Sequence, residues 1–457
     1  MNVRQEIALK SGVIRGWAVA LFLIISGALW LGFSADTYFG SDGSFYFAMI
    51  LDKGGFTEIA PSRAHAELMS QWPLVWALRS GVSDLKLLEV FFGLGIWFPF
   101  LLSFVISLYA TRENPALIAF YLISLASLNL AGWCLIYGEH MVLLSIAWPI
   151  FYLAILRRPL TALEQVLVAA LLLIHLKLYE TALVSGTLFS LLFLFRAWLS
   201  ESRWQKGWSC VFAILAAAAV MIALYWILNP RDPENRGHFL GAILGSLAHP
   251  YPWMGLSFVV LTALGHLLQS SKLGVAGWVT PLVIGVISLF SPGIMGGISF
   301  ATRTLTLTAL PLLMLVAGMA SLSCFRFHRK CALVVGGLIL ALSILHVRHL
   351  QSWLDFRRDF KEILQSERGF VKPADHGGIS HWGWTNSVLS YVWSEGEVRA
   401  VILNPDEIGY QPFQVKSEML LEAYLTKKPD FLEAKVPLEE WSVLEDEELT
   451  ADEVDER

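Results

Sequence analysis

Charged residues are scarce in this chain. Only 16% of its 457 residues are Asp, Glu, Lys or Arg, against about 25% in ordinary soluble domains. The hydrophobic share is 56%, and the mean hydropathy is +0.58. This composition excludes a soluble protein along most of the length. It also leaves no dense basic patch outside the apolar segments, which argues against nucleic acid as a partner.

Cysteine is rare as well, and motifs with fixed spacings are missing. The four cysteines lie in or beside apolar segments without metal-like spacing, so we interpret them as packing residues rather than as a disulfide framework. The eleven histidines show no paired ligand spacing, which argues against zinc. We find no glycine motif for a nucleotide. The sequence therefore predicts neither a zinc protein nor a nucleotide-binding enzyme.

Long apolar runs occupy most of residues 13–348. Runs of roughly 17–25 residues can cross a hydrocarbon core of about 30 Å, and these runs lack the alternation of membrane strands. We predict an all-α polytopic membrane protein with about eleven transmembrane helices. The predicted segments are 13–33, 91–110, 116–137, 141–156, 160–178, 181–197, 207–228, 253–269, 274–291, 303–322 and 331–348.

Basic residues divide the connections between these segments into two alternating sets. One set carries a series of lysines and arginines, and the positive-inside rule places it in the cytoplasm. The other set includes the long 34–90 loop and the 229–252 loop. We predict a cytoplasmic N-terminus and an extracytoplasmic C-terminus, in a bacterial inner membrane. The basic residues are Arg4, Lys10, Arg15, Arg112, Arg157, Arg158, Arg196, Arg203, Lys206, Lys272, Arg326, Arg329 and Lys330.

The composition changes after the last apolar segment. Residues 356–367 have the spacing of an amphipathic helix, and the apolar run 398–403, closed by Asn-Pro, is typical of a buried strand. We predict a transmembrane module over 1–350, a small extracytoplasmic α/β domain over 351–436, and a flexible acidic tail over 437–457.

The first outer loop, residues 34–90, is amphipathic rather than polar. Asp42 stands where a helix N-cap belongs, before a short apolar stretch that Gly54 ends. A second helix follows, with Pro73 as a kink or a new start. We expect both helices to lie in the plane of the membrane interface. The second helix has an apolar face of Ala64, Leu68, Trp72 and Trp76 and a polar face of Arg63, Glu67 and Gln71.

This arrangement resembles the GT-C glycosyltransferases. The residues that carry the resemblance are an Asp before an aromatic helix, "SDGSFYF", and an arginine at the start of the late segment "FATRTLTLTALPLLMLVAG". The resemblance implies an inverting transfer of a sugar from a polyprenyl-phosphate donor to a glycan, lipid or protein acceptor, on the outer face and among membrane lipids. It implies Asp36 or Asp42 as the catalytic base and Arg303 on the donor phosphate. No cofactor is implied, and a divalent cation is left open because Asp42 is followed by Gly43 rather than by a second acid.

The chemistry of such a transfer explains the choice of residues. A carboxylate takes the proton of the acceptor hydroxyl, and arginine suits the leaving phosphate. We prefer Asp42 as the base, with a plain N-cap as the equal alternative, and interpret Asp36 as a surface acid. For Arg303 the alternative is an interfacial anchor. Ionisable residues near segment ends and in the 229–252 loop are further substrate-binding candidates: Glu139, His140, Lys177, Tyr179, Glu180, Arg231, Arg236 and His238.

Three other functions compete with this hypothesis. An O-antigen polymerase or ligase would use the 229–252 loop for its arginines, but it does not explain the elaborate first loop. A lipid or glycan transporter (a flippase) predicts inverted repeats and charges near helix centres, and we see neither clearly. A purely structural membrane partner would leave the outer acids replaceable.

Overall fold

The computed structural model describes residues 3–39, 42–58, 61–130, 139–178, 182–229, 329–367 and 369–371, together with 314, 317–318, 389–390, 393 and 400–402. These residues are mostly helical. The helices are α1 (Val3–Ser34), α2 (Asp42–Lys53), α3 (Ala64–Arg79), α4 (Leu85–Ala110), α5 (Ile118–Asn129), α6 (Glu139–Ala154), α7 (Ala162–His175), α8 (Ala182–Leu199), α9 (Arg203–Leu228) and α10 (Arg329–Ser366).

Four helices in this described part are long and apolar enough to cross a membrane, in agreement with the predicted membrane character. They are Gly12–Ser34, Leu85–Ala110, Ala182–Leu199 and Arg203–Leu228. Three shorter apolar helices, Pro115–Ala126, Val142–Ala154 and Ala162–His175, overlap three further predicted segments. The predicted segments 253–269, 274–291 and most of 303–322 lie outside the described residues, so eleven transmembrane helices stay a prediction.

Helix α9 shows how these helices pack. Its alanines at 213, 216, 219 and 223 are buried, and the last two pack with Ala182 of α8. On the opposite face Ile214 and Met221 are 68% and 64% exposed. A soluble helix would bury the large apolar residues instead, whereas small residues at helix contacts are typical of membrane bundles. The exposed face of α9 is therefore suited to contact with lipid.

Helix α3, in the first outer loop, is packed tightly onto α4. A Cβ atom on Gly95 would lie 1.7 Å from the carbonyl oxygen of Ser70, so the two backbones approach as closely as glycine permits. Pro73 lies inside one continuous helix. Of the two alternatives at Pro73, the new helix start is therefore wrong, and the kink stays a prediction.

The first loop ends its helices as predicted. Gly54 follows α2 with φ +58°, and Gly81 follows α3 with φ +84°. A left-handed residue after a helix is the usual C-terminal arrangement, and glycine adopts it without a steric penalty.

Helix α10 differs from its predicted form. A membrane segment over 331–348 and a separate amphipathic helix were expected, but one helix runs through Arg329–Ser366. No glycine or proline interrupts residues 338–366, so nothing in the sequence ends the helix between the two parts. Buried residues recur every three or four positions along it: Val335, Ile339, Leu342, His346, Leu350, Trp353, Phe356, Phe360 and Ile363.

The chain divides into two compact units, Met1–Tyr38 with Lys53–Gln351, and Phe39–Asp52 with Ser352–Arg457. In the second unit the Trp393 ring lies 5.7 Å from that of Trp353 and 5.3 Å from that of Phe360. Strand β1 (Gly369–Val371) pairs in parallel with β2 (Ala400–Ile402). Strand β2 lies within the predicted strand 398–403. The acidic tail lies outside the described residues, and the extracytoplasmic α/β domain stays a prediction.

Candidate functional site

Asp36 holds an unusual position directly after α1. Its backbone is left-handed, with φ +60°, and it is the only such residue other than glycine in the described part of the chain. The amide of Asp36 donates to the carbonyl oxygen of Phe33, so the residue forms the C-terminal cap of the helix. Glycine is the usual residue here, because a Cβ atom is penalised in this conformation. A carboxylate is therefore placed where the fold by itself favours glycine.

The Asp36 side chain is anchored by a buried tyrosine. The Tyr38 hydroxyl donates to Asp36 Oδ1 at 3.2 Å, and Tyr38 is only 2% exposed. The Tyr38 ring packs 5.2 Å from Phe33 and 5.9 Å from Phe92 of α4. Asp36 is itself half-buried, and its interpretation as a surface acid stays a prediction. This geometry orients one carboxylate oxygen at the end of α1.

Asp42 is the first residue of α2. This start agrees with the predicted helix terminus within the usual uncertainty of one or two residues. Its side chain lies outside the described atoms, and Asp36 and Asp42 belong to different compact units. Neither acid is therefore excluded as the base.

Helix α3 presents its polar face to the protein and its apolar face outward. Glu67 is 2% exposed and Gln71 is fully buried, whereas Trp72 and Trp76 are 40% and 59% exposed. The Gln71 side chain makes two hydrogen bonds to the backbone of Thr57. The Thr57 amide donates to Gln71 Oε1 at 2.8 Å, and Gln71 Nε2 donates to the Thr57 carbonyl at 2.9 Å. The two faces match the prediction, and their orientation suits a helix with lipid outside it.

Glu67 is a candidate that the sequence interpretation missed. The sequence does show a polar face with four-residue spacing that includes Glu67. A glutamate on an amphipathic helix normally points to water, however, so burial was not expected. A buried carboxylate on the inner face of the first loop is costly unless it is hydrogen-bonded or used. Glu67 does interact with at least one other group of the protein. It adds a second acid to the loop that already carries Asp36.

The N-terminus of α3 contacts the end of α7. The His65 amide donates to the carbonyl oxygen of Lys177 at 3.0 Å, and His65 Nδ1 lies 2.9 Å from the carbonyl oxygen of Ile174. The Ile174 carbonyl is among those that a helix C-terminus leaves without an intrahelical partner, and Lys177 lies two residues beyond the helix. Two connections that the basic-residue pattern assigned to the same side thus meet in the structure. Lys177, a predicted binding residue, is half-buried there.

The remaining candidates are placed only in part. Glu139 and His140 begin α6, and their side chains lie outside the described atoms. Tyr179, Glu180, Arg231, Arg236, His238 and Arg303 lie outside the described residues altogether. His175 is fully buried, and its Nε2 lies 2.9 Å from the Ser185 hydroxyl, as expected of a hydrogen-bonded structural histidine. Of the predicted site, the structure thus joins the first loop to Lys177 and tests none of the rest.

An ionic cluster lies among the connections assigned to the other side. Glu164, whose side chain is 0% exposed, accepts from Arg158 through both oxygens at 2.6 and 2.7 Å and from Arg112 at 2.9 Å. The Thr161 amide also donates to Glu164 Oε2 at 2.9 Å, which completes a capping box at the start of α7. These bonds occupy both oxygens of the buried carboxylate, as such a charge requires.

Further contacts extend this cluster to α1 and over three connections, α4–α5, α6–α7 and α8–α9. Arg158 also pairs with Glu113, and Arg15 of α1 donates to the Arg112 carbonyl at 2.9 Å. The Arg196 guanidinium donates to the carbonyls of Ala154, Leu156 and Arg158, and Gln205 and Leu160 exchange two hydrogen bonds. The hydrogen bonds that Arg158 donates to the Glu164 carboxylate raise the pKa of its guanidinium above the ordinary value. The arginines counted as topology signals therefore also hold the helix ends together.

Within the described residues no group of three or more His, Cys, Asp and Glu side chains is arranged to hold a metal ion. No family model, curated protein or solved structure matches this chain.

Proposed function

We propose that this chain is an integral membrane glycosyltransferase of the GT-C type, which transfers a sugar from a polyprenyl-phosphate donor to an acceptor on the extracytoplasmic face. The observation that carries the proposal is the construction of the first loop. Its helix α3 exposes tryptophans and buries the Glu67 and Gln71 side chains, and the loop begins with a half-buried acid in a left-handed conformation. Residues other than glycine in the left-handed conformation cluster at functional sites.

The contacts between connections support the proposed orientation. Arg15, Arg112, Arg158, Arg196 and Gln205 meet in one cluster, and all of them come from the set proposed to face the cytoplasm. The contact of His65 with the end of α7 joins two connections of the opposite set. Among the described residues these contacts join connections of the same set, as one topology across a bilayer requires.

The proposed reaction is a single displacement with inversion. The acceptor hydroxyl oxygen bonds to the anomeric carbon of the sugar, and the bond from that carbon to the phosphate oxygen breaks. The hydroxyl proton passes to a carboxylate of the first loop, Asp42 or Asp36, and polyprenyl phosphate leaves. Cationic side chains of the outer face, Lys177 and Arg303, stabilise the charge that develops on the phosphate. No oxidant or reductant is consumed.

Amide variants of the two acids test the proposal. We expect Asp42→Asn or Asp36→Asn to lower transfer from a radiolabelled polyprenyl-phosphate hexose by about 100-fold or more, because a general base contributes this much. Asp36→Gly is informative as well, since it relieves the left-handed backbone while removing the carboxylate. It should keep the fold and lose transfer if Asp36 reacts. The assay uses protein in lipid nanodiscs at matched amounts.

Asp84→Asn is the matched control. Asp84 lies in the same loop, and its carboxylate accepts from the Leu87 amide at 2.8 Å as the N-cap of α4. Asparagine caps a helix equally well, so this variant should transfer at the wild-type rate. Full activity in both Asp36→Asn and Asp42→Asn would remove the first-loop aspartates from the mechanism.

A further inference from the structure

His65 is the residue through which the first loop contacts the end of α7. It spans 109 positions of sequence to reach Ile174, and it makes two hydrogen bonds to carbonyl groups of that end. Carbonyl oxygens only accept, so Nδ1 must carry a hydrogen, and the imidazole is fixed in one orientation. Helix α3 is held elsewhere by its close packing on α4 at Gly95. His65 therefore sets the position of α3 relative to α7.

Lys177 is the first charged residue beyond α7. The backbone amide of His65 binds its carbonyl group, and the imidazole of His65 binds the carbonyl group of Ile174, three residues earlier. A flexible lysine acts on a phosphate as a point charge, so its effect depends on where its backbone is placed. An error of about 1 Å in a group that positions a substrate can cost about 100-fold in rate. The His65 bonds tie this backbone to the start of α3.

We propose that His65 is a positioning residue that acts through Lys177: its imidazole fixes the end of α7, and with it the backbone of this lysine, against the start of α3, so that the lysine holds the phosphate of a lipid-linked substrate at this contact. This inference rests on the proposed function for the nature of the ligand. It adds a residue that neither the resemblance nor the composition indicated. The nitrogen that matters is Nδ1, which lies against the Ile174 carbonyl.

Substitutions that imitate one ring nitrogen at a time test the role of Nδ1. The side-chain amide of Asn reaches the position of Nδ1, so His65→Asn keeps the donor to the Ile174 carbonyl. The side-chain amide of Gln reaches the position of Nε2 instead. His65→Gln and His65→Leu therefore both lose this donor. Without ligand, we expect amide hydrogen exchange in residues 61–71 and 174–178 to rise about five- to tenfold in the Leu and Gln variants, which lose a hydrogen bond. His65→Asn should exchange like the wild type.

The coupling to Lys177 is measured by transfer from the polyprenyl-phosphate hexose in nanodiscs. We expect a loss of about 100-fold for His65→Leu, rescue to within about threefold by His65→Asn, and a large loss for Lys177→Met. In the double variant His65→Leu/Lys177→Met the losses should not multiply, because both changes remove the same effect. Lys206→Met, an exposed lysine of α9, is the charge control and should be fully active.

The outcomes separate this inference from the proposed function. Unchanged exchange in His65→Leu, multiplying losses in the double variant, or rescue by Gln rather than Asn would each overturn the positioning role. Added polyprenyl phosphate should also protect residues 174–178 of the wild-type protein from exchange. A lack of protection and of transfer in the wild type would instead overturn the lipid-donor function, while the exchange of unliganded His65→Leu would still decide whether His65 fixes the two segments.

Discussion

At the residue scale, the buried carboxylate of Glu164 shows how this protein uses charge. Arg158 binds both of its oxygens, Arg112 binds one, and the Thr161 amide completes the set. A buried carboxylate that lost these partners would bear the full cost of its desolvation, whereas Arg112 and Arg158, whose side chains are 28% and 27% exposed, would keep part of their hydration. The cluster is therefore a point where a single substitution has a large effect.

We predict that Glu164→Gln lowers the free energy of unfolding by about 1.5–3 kcal/mol, since it replaces the charged hydrogen bonds of a buried carboxylate and leaves arginines that are partly exposed. The matched control is Glu113→Gln. Glu113 pairs with the same arginine, but its side chain is 51% exposed, so the loss should stay below about 1 kcal/mol. Thermal unfolding in detergent measures both variants. Equal shifts in the two would contradict the distinction between the buried and the exposed pair.

Individual residues were predictable where the signal was local. The cap at Gly54 and the two faces of α3 followed from neighbouring residues. The partners of Glu164 did not, because Arg112 lies 52 positions away and was interpreted only as a topology signal. The left-handed conformation of Asp36 could not be predicted either, since its sequence neighbours do not require a left-handed residue. Such features depend on contacts that form only after the chain has folded.

At the element scale, α3 is defined by contact with two other helices. Its polar face is buried, its tryptophans are outside, and its backbone touches α4 at Gly95. The spacing of residues predicted the faces, but it could not predict which one points inward. In water the apolar face would be buried; beside lipid the preference is reversed. The continuity of α10 was missed for a related reason, because a change in composition was interpreted as a helix end.

We predict that Gly95→Ala displaces α3. The added Cβ would meet the Ser70 carbonyl at 1.7 Å, which the two backbones can relieve only by moving apart, at a cost of about 1–3 kcal/mol or more. Hydrogen exchange in α3 should rise, and the melting temperature should fall.

Gly27→Ala in α1 is the control for this substitution. A Cβ at Gly27 meets nothing within 4 Å, so alanine should be neutral or stabilise the helix by up to about 1 kcal/mol. If Gly95→Ala behaves like Gly27→Ala, the close approach of α3 and α4 does not exist in the membrane.

At the scale of the whole molecule, the first compact unit has two chemically different groups of connections. One contains the arginine cluster around Glu164, and the other contains the contact between His65 and the end of α7. Exposed tryptophans occur with both groups, Trp198 and Trp204 near the first and Trp72 and Trp76 near the second. Tryptophan favours the two membrane interfaces. The alternation of basic residues predicted that the connections fall into two groups. The hydrogen bonds and ion pairs within each group could not be predicted from the sequence.

Labelling of single cysteines tests the orientation of the whole chain. After the four native cysteines are replaced, Ser83→Cys reports on the α3–α4 connection and Glu201→Cys on the α8–α9 connection, since both positions are exposed. With a membrane-impermeant maleimide on intact cells, we expect Ser83→Cys to react and Glu201→Cys to react only after permeabilisation. The reason is that Glu201 lies between Arg196 and Lys206, which the positive-inside rule holds in the cytoplasm. The reverse pattern would place the loop acids on the wrong side for an extracytoplasmic transfer, whatever their geometry.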